Sequence, residues 1–270
     1  DARWGGMPFD LSPTNEILLA IGLFFGAALY SSVGHAGASA YLALMALFNV
    51  PPTVMRPTAL ALNICVASLG SYRYVSAGLI SWRTLWPPLI GAVPMAFLGG
   101  SIQLPGDYYK PLVGLVLVFA AMRLLIPNAW PEIKEIREIP VWLGIMAGIG
   151  IGFLAGLTGT GGGIFLSPLL LFFGFAETRQ ASGIAAVFIL CNSIAGLAGN
   201  FAAVQSLPAH LPLYIAAVLA GGWIGTELGI RRFATPMILR ALGLVLLVAS
   251  WKLLSPFVIE IFDLDTAPKP

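Results

Sequence analysis

Eight long apolar segments run through the sequence, each close to the length needed to cross a lipid bilayer. They cover residues 17–33, 58–77, 85–103, 109–126, 141–157, 181–203, 211–230 and 238–254. A helix needs about 20 apolar residues to span a hydrocarbon core of about 30 Å. Because backbone polar groups find no water in that core, such segments must be helical. We therefore expect an all-α, polytopic helical bundle in a membrane.

The composition excludes several other classes of protein. Hydrophobic residues make up 58% of the 270 positions and charged residues only 10%, whereas soluble domains carry about 25% charged residues. A net charge of +2 without a basic cluster argues against a nucleic-acid partner. The two cysteines, Cys65 and Cys191, lie inside apolar segments and have no metal-like spacing. We expect no metal and no cofactor.

Two shorter apolar segments, 38–50 and 164–175, each follow a glycine-rich stretch. The first stretch is YSSVGHAGAS, residues 30–39, and the second is GLTGTGGG, residues 156–163. The second lacks the lysine of a phosphate-binding loop and has no preceding strand, so a nucleotide site is excluded. Two alternatives remain. The glycines let helices pack or turn tightly, or they form unwound backbone that lines a cavity inside the membrane.

The two glycine-rich stretches belong to similar halves of the chain. A shift of 126 positions places Gly22, Gly26, Gly37 and Cys65 on Gly148, Gly152, Gly163 and Cys191. We predict a first transmembrane repeat at 1–126, a polar linker at 127–140 and a second repeat at 141–270. If each short helix crosses the membrane, or re-enters it with its neighbour, the number of crossings per half is odd; only a crossing first helix with a non-crossing short helix would make it even. With an odd number, the repeats are inverted in topology, each with a broken or re-entrant helix pair.

A helix that starts after each stretch directs free N–H groups and a positive dipole end into the cavity. Two such ends meeting near the midplane suit an anion. Two amides in the following helices would add neutral donors, although they could equally hold helices together. The predicted substrate-binding residues are Gly34, His35, Ala36, Gly37, Ser39, Asn63, Thr158, Gly159, Thr160, Gly161, Gly162, Gly163 and Asn192.

Charged and titratable residues supply candidates for gating and coupling. His35 is either a satisfied histidine at a helix start or a donor that also carries a coupled proton. Glu227 either pairs with Arg231, four residues on, or couples transport to protons. Arg73 either snorkels to the interface or attracts anions. The predicted gate or pathway residues are Arg56, Arg73, Arg179 and Gln180.

Two motifs resemble the signatures of the TauE/SafE family of sulfite and organosulfonate transporters, part of the toluenesulfonate uptake permease superfamily. They are GHAGASAYLALM, from Gly34, and GFLAGLTGTGGGIFLSPLLL, from Gly152. The resemblance covers nearly the whole chain. It implies a multi-pass anion transporter of the bacterial inner membrane, without an ATPase, for a substrate such as sulfite or an organosulfonate.

We therefore expect a secondary transporter that works by alternating access. An anion channel, or a carrier of another small anion such as a carboxylate or thiosulfate, is the alternative. An enzyme is not expected, because no nucleophile–base pair or paired carboxylate occurs; a membrane assembly factor is a further alternative. The expected partners are a small anion and the lipid bilayer. A proton or sodium ion is the candidate coupling ion, and a homodimer is one open oligomeric state.

Overall fold

Ten α-helices and no strand make up the described part of the chain. The computed structural model describes residues 11–126, 136–201, 207–231 and 236–266, and the side chains of 231–239, 241, 242 and 260–266 lie outside that description. Residues 127–135 of the predicted linker therefore lie outside the described residues. The helices are α1 (Pro13–Ser31), α2 (Ala38–Leu47), α3 (Pro52–Ser76), α4 (Trp82–Ser101), α5 (Gly106–Leu125), α6 (Val141–Thr158), α7 (Gly163–Phe172), α8 (Thr178–Gly199), α9 (Leu211–Arg231) and α10 (Pro236–Thr266).

Six helices in the described ranges are long and apolar enough to cross a membrane: α1, α3, α5, α6, α8 and residues 211–230 of α9. Helix α4 has 20 residues, but Pro87, Pro88 and Pro94 lower its mean hydropathy. The helices turn large apolar side chains outward, as a lipid-facing surface requires; Ile17, Phe25 and Ile90 are more than half exposed. The prediction of an all-α, polytopic helical bundle is confirmed.

Helix α3 starts earlier than its apolar segment, at Pro52 rather than near residue 58. Proline favours the first turn of a helix, because its φ is already helical and that turn needs no N–H donor. The extra turns bring Arg56 inside the helix, where its side chain is 5% exposed. A charge at this depth is tolerated because its guanidinium donates to carbonyl oxygens at the end of α4.

Two helix pairs pack so closely that glycine is required on one face. A methyl group on Gly148 or Gly152 of α6 would overlap backbone atoms of Pro88 or Ala92 in α4. A methyl group on Gly221 of α9 would overlap the backbone of α1 at Phe24. Small residues allow this approach in membrane helices. We call these contacts, α4 with α6 and α1 with α9, the glycine seams. Each seam joins a helix from before the linker to one from after it.

The remaining helices complete the interior. Helix α3 packs on α8, and α5 packs along α10. The short helices lie deep between them. In α2 the first six residues, from Ala38 to Ala43, are all buried. Helix α7 packs mainly on α8. The two segments that precede these short helices are therefore enclosed by protein rather than exposed to lipid.

Candidate functional site

The chain leaves helical geometry at two places inside the bundle. We call residues 32–37, between α1 and α2, the first break, and residues 159–162, between α6 and α7, the second break. The last residue of each break is a glycine with a positive φ, 102° at Gly37 and 83° at Gly162. Other residues rarely adopt such a φ. A short helix then starts, and its first N–H groups have no partner within the helix.

His35 of the first break is 4% exposed and reaches the start of α7. Its Nδ1 lies 2.9 Å from Val33 O, and its Nε2 lies 3.0 Å from Gly163 O. Since Gly163 is the first residue of α7, the loop before α2 touches the helix that follows the second break. The structure thus brings predicted site residues from both breaks into contact.

Helix α5 supplies a cation to the first break. The Nη1–H of Arg123 donates to His35 Nε2 at 3.0 Å, and Ser167 Oγ of α7 lies 3.2 Å from the same nitrogen. Arginine can only donate, so when Arg123 donates to Nε2 the ring proton lies on Nδ1, where it is donated to Val33 O. Gly163 O is then a close neighbour of Nε2 without a hydrogen bond to it. In this arrangement His35 is neutral. No carboxylate among the described residues pairs with Arg123.

Tyr30 completes the surroundings of His35. The two rings lie edge to face, with centroids 6.3 Å apart. The Tyr30 hydroxyl is buried and has no hydrogen-bond partner among the described residues. Burying a polar group without a partner costs about 1–3 kcal/mol. A free O–H donor and a guanidinium therefore lie beside the same histidine.

The second break packs against Arg56 at Gly159, but that guanidinium is bonded to the carbonyl oxygens that end α4. At Gly161 the break faces uncharged polar groups. A methyl group on Gly161 would come within 2.9 Å of Asn63 Nδ2 and 3.0 Å of Ser193 Oγ. Asn63, Asn192 and Ser193 are at most 1% exposed. Their side-chain nitrogen and oxygen atoms have no hydrogen-bond partner in the described part of the chain. Buried polar groups are nearly always partnered in native proteins, so this concentration points to a ligand or water site.

Hydrogen bonds hold the end of α6 that leads into the second break. The Thr158 hydroxyl donates to Leu154 O at 2.7 Å and lies 3.0 Å from the Thr160 hydroxyl. Tyr109 of α5 donates to Thr158 O at 2.9 Å. Tyr109 and Arg123 are about 21 Å apart along α5, at about 1.5 Å per residue. Helix α5 thus contacts the second break near its start and the first break near its end.

The other predicted residues of the first break mostly shape its backbone. Ala36 O accepts a hydrogen bond from the Tyr41 hydroxyl. Gly34 packs directly against Ser182 of α8, and the Ser182 hydroxyl donates to Val33 O at 3.0 Å. Ser39, in the first turn of α2, is buried. These contacts fix the path along which His35 approaches α7.

The predicted gate residues lie in different surroundings. Arg56 donates to the carbonyl oxygens of Gly99, Gly100 and Ile102, and a cation there favourably meets the negative end of α4. Arg179 and Gln180 lie in the first turn of α8. A pathway role for these residues remains a prediction.

Arg73 and Glu227 form an ion pair that joins α3 to α9. The Nη1–H of Arg73 also donates to Trp223 O at 2.9 Å, and its guanidinium lies 4.4 Å from the centre of the Trp223 ring. Sequence spacing suggested Arg231 as the partner of Glu227. The structure shows a pair with Arg73, and the side chain of Arg231 lies outside the described residues.

Sequence reasoning missed three residues around His35: Tyr30, Arg123 and Ser167. Arg123 lies near the end of an apolar segment, where an arginine is typical of a membrane interface. Its contact with His35 joins positions 88 apart in the chain. Only the fold shows that this arginine turns inward.

Comparison with known proteins places the chain among membrane transporters. The sequence model described as sulfite exporter TauE/SafE matches residues 18–253. The probable membrane transporter protein y4hK of Sinorhizobium fredii is 39% identical over 244 residues, which cover 89% of this chain and 99% of the relative. The probable membrane transporter protein YjnA of Bacillus subtilis is 25% identical over 259 residues, which cover 88% of this chain and 98% of the relative. No solved structure matches the chain. The family match includes both breaks and Arg123.

Proposed function

The chain belongs to the sulfite exporter TauE/SafE family, and from that premise we propose that it is a secondary transporter of small sulfur-containing anions, such as sulfite or organosulfonates. The family and the relatives make it a membrane transporter. The choice of anion and the mechanism are our proposal.

The observation that carries the proposal is the contact between the two breaks at His35 and Gly163, with Arg123 beside it. The start of α7 offers unpaired N–H groups and a positive dipole end. A guanidinium lies next to that end without a carboxylate partner among the described residues. An oxyanion would satisfy both, because it accepts several hydrogen bonds and neutralises the charge.

Uncharged donors at the second break would complete the site. Asn63 and Asn192 are buried and have no hydrogen-bond partner within the described ranges, and amide N–H groups bind oxygen atoms without adding a full charge. A transporter must release its substrate on each cycle, so the site must not bind too tightly. Neutral donors combined with one arginine suit that requirement.

We further propose that two inverted repeats, 1–126 and 141–270, operate this site by alternating access. The helix pairings support this relation: α1 packs on α9 as α6 packs on α4, and α3 packs on α9 as α8 packs on α4. A pseudo-two-fold axis that exchanges the halves would produce such a pattern. On this proposal, each half contributes one break to the anion site.

The test is flux of labelled sulfite and methanesulfonate into proteoliposomes. We expect uptake that saturates with substrate and falls in a His35→Ala variant. His210→Ala is the matched control, because His210 lies before α9, half exposed, and contacts Glu16 instead of either break. Absence of flux for every sulfur anion would refute the substrate claim. Rates that rise without saturation would instead indicate a channel.

A further inference from the structure

The arginines near the two breaks differ in the groups that balance their positive charge. Among the described residues, Glu16, Glu138 and Glu227 form ion pairs with His210, Arg83 and Arg73, and not with Arg123. Arg56 at the second break is bonded to the carbonyl oxygens that end α4. The guanidinium of Arg123, by contrast, has its hydrogen bond among the described residues with a neutral imidazole. One positive charge therefore remains without an anionic partner at the point where the first break meets α7.

The groups that face His35 add donors but no second charge. Tyr30 faces it from α1, Arg123 from α5, and Gly163 and Ser167 from α7. A phenol and a hydroxyl are neutral, and His35 itself is neutral when Nδ1–H donates to Val33 O and Nε2 accepts from Arg123. The local side-chain charge is thus +1, provided by Arg123.

The donors are arranged for an oxyanion. A guanidinium has five N–H donors in one plane, and only one of those of Arg123 is engaged by His35. The Tyr30 hydroxyl is buried, makes no hydrogen bond of normal geometry in the described part of the chain, and has the Ser39 side chain near it. The N–H groups at the start of α7 lie within a few ångströms of His35, whose Nε2 contacts Gly163 O at 3.0 Å. Two or three oxygens of a small anion would find donors from separate elements.

We propose that Arg123 is the charge-binding residue of the transported anion and that the site accepts substrates with one negative charge, such as a sulfonate or hydrogensulfite, in preference to dianions such as sulfate. This inference rests on the transport function proposed above. A monoanion and Arg123 leave no net charge at this part-buried site. A dianion would leave one uncompensated charge, which is strongly unfavourable away from water.

Methanesulfonate and sulfate test the inference directly, since they are similar in shape and differ in charge. The intact protein is purified in detergent, and its thermal unfolding is followed with increasing concentrations of each anion. A bound ligand raises the melting temperature according to its affinity. We expect methanesulfonate to bind at least about tenfold more tightly than sulfate, and to inhibit uptake of labelled sulfite into proteoliposomes by the same ratio. Equal affinities would overturn the proposal.

Variants of Arg123 distinguish the effect of losing the positive charge from the effect of misfolding. Arg123→Gln removes the charge, and we expect it to abolish the methanesulfonate-dependent shift in melting temperature. Arg123→Lys keeps the charge but loses the planar fork, so it should retain the preference for methanesulfonate with weaker binding. Arg83→Gln is the matched control, because Arg83 is exposed and pairs with Glu138. An Arg123→Gln protein that binds methanesulfonate normally would overturn the assignment. If Arg123→Gln does not fold, the test is whether Arg123→Lys still binds methanesulfonate more tightly than sulfate. Loss of that preference would overturn the assignment of Arg123.

Acetate and nitrate distinguish this inference from the proposed function. If they bind in an Arg123-dependent manner while no sulfur anion binds or is transported, the monoanion site stands and the sulfur substrate is wrong. If sulfur anions are transported but sulfate and methanesulfonate compete equally, the transport function stands and the charge preference is wrong.

Discussion

The two breaks have similar backbones and different chemistry. Each ends in a glycine with positive φ and leads into a ten-residue helix, α2 or α7. The first break places a histidine against an arginine, and its polar contacts are largely formed. The second break places glycine against Asn63 and Ser193, which have no hydrogen-bond partner among the described residues.

This difference shows which properties two segments of similar backbone can share and which they cannot. Glycine and a following helix N-terminus supply donors wherever the backbone adopts this shape. Charge and selectivity depend on side chains that reach in from other helices, here α5 at the first break and α3 and α8 at the second. We infer that a single arginine gives the site its charge and that the second break provides neutral binding groups. Three pairs of substitutions test this contrast.

The largest effect is expected at the first break, from Gly34→Ala. Gly34 has a φ of 77°, and a methyl group there would overlap the backbone of Ser182. A left-handed backbone costs about 1–2 kcal/mol for other residues, and overpacking adds about 1–3 kcal/mol. Equilibrium unfolding in mixed micelles should show that the free energy of unfolding falls by about 2–5 kcal/mol.

Gly78→Ala is the matched control for Gly34→Ala. Gly78 has a φ of 68°, but a methyl group there would meet nothing within 4 Å. The free energy of unfolding should therefore fall only by the backbone cost of about 1–2 kcal/mol. If both variants lose the same stability, the packing of the first break against α8 is not what constrains it.

An intermediate effect is expected at the second break, from Asn63→Leu. Leucine has the same branching and number of side-chain heavy atoms as asparagine, and it removes two buried polar atoms that have no partner among the described residues. The free energy of unfolding should therefore stay unchanged or rise by about 1 kcal/mol. If Asn63 binds substrate, sulfite flux should nevertheless fall at least about tenfold. The exposed Asn15→Leu should change neither quantity, and normal flux in Asn63→Leu would show that this amide only packs helices.

The smallest expected effect is a change in the free energy of unfolding that differs in sign between substitutions of two serines. Ser167→Ala removes a hydroxyl that lies 3.2 Å from His35 Nε2 and should lower the free energy of unfolding by about 1 kcal/mol. Ser193→Ala removes a buried hydroxyl that has no partner among the described residues, so stability should stay constant or rise slightly. Unfolding of both variants under identical conditions measures the difference. Equal losses would mean that the two breaks do not differ in hydrogen bonding as described.

Much of the fold follows from the sequence because the membrane restricts the choices. Apolar segments of bilayer length must be helices, and glycine-rich stretches before short segments predict interruptions at the observed places. Helix ends were less predictable. Helix α3 includes Arg56 and Pro57, which precede its apolar segment, because α4 supplies acceptors that the local sequence does not contain.

The site was predictable only where it depends on local backbone. The glycines, His35 and the two asparagines could be chosen by type and position. Arg123 could not, since its partner lies 88 positions away and its own surroundings look like a helix end at the interface. The same reason explains Glu227. Its partner Arg73 comes from another helix, whereas the predicted pair with Arg231 depends on a side chain outside the described residues and stays a prediction.

The seam between α1 and α9 has a consequence for biosynthesis. Phe24 and its partner Gly221 are separated by most of the chain, and ribosomes add about 5–20 residues per second. Helix α1 therefore enters the bilayer about 10–40 s before the helix that fits against it exists. During translation its closely packing face must be covered by lipid or by the insertion machinery. Assembly of the bundle is consequently a late event, and a nascent chain that stalls before α9 leaves α1 without its partner.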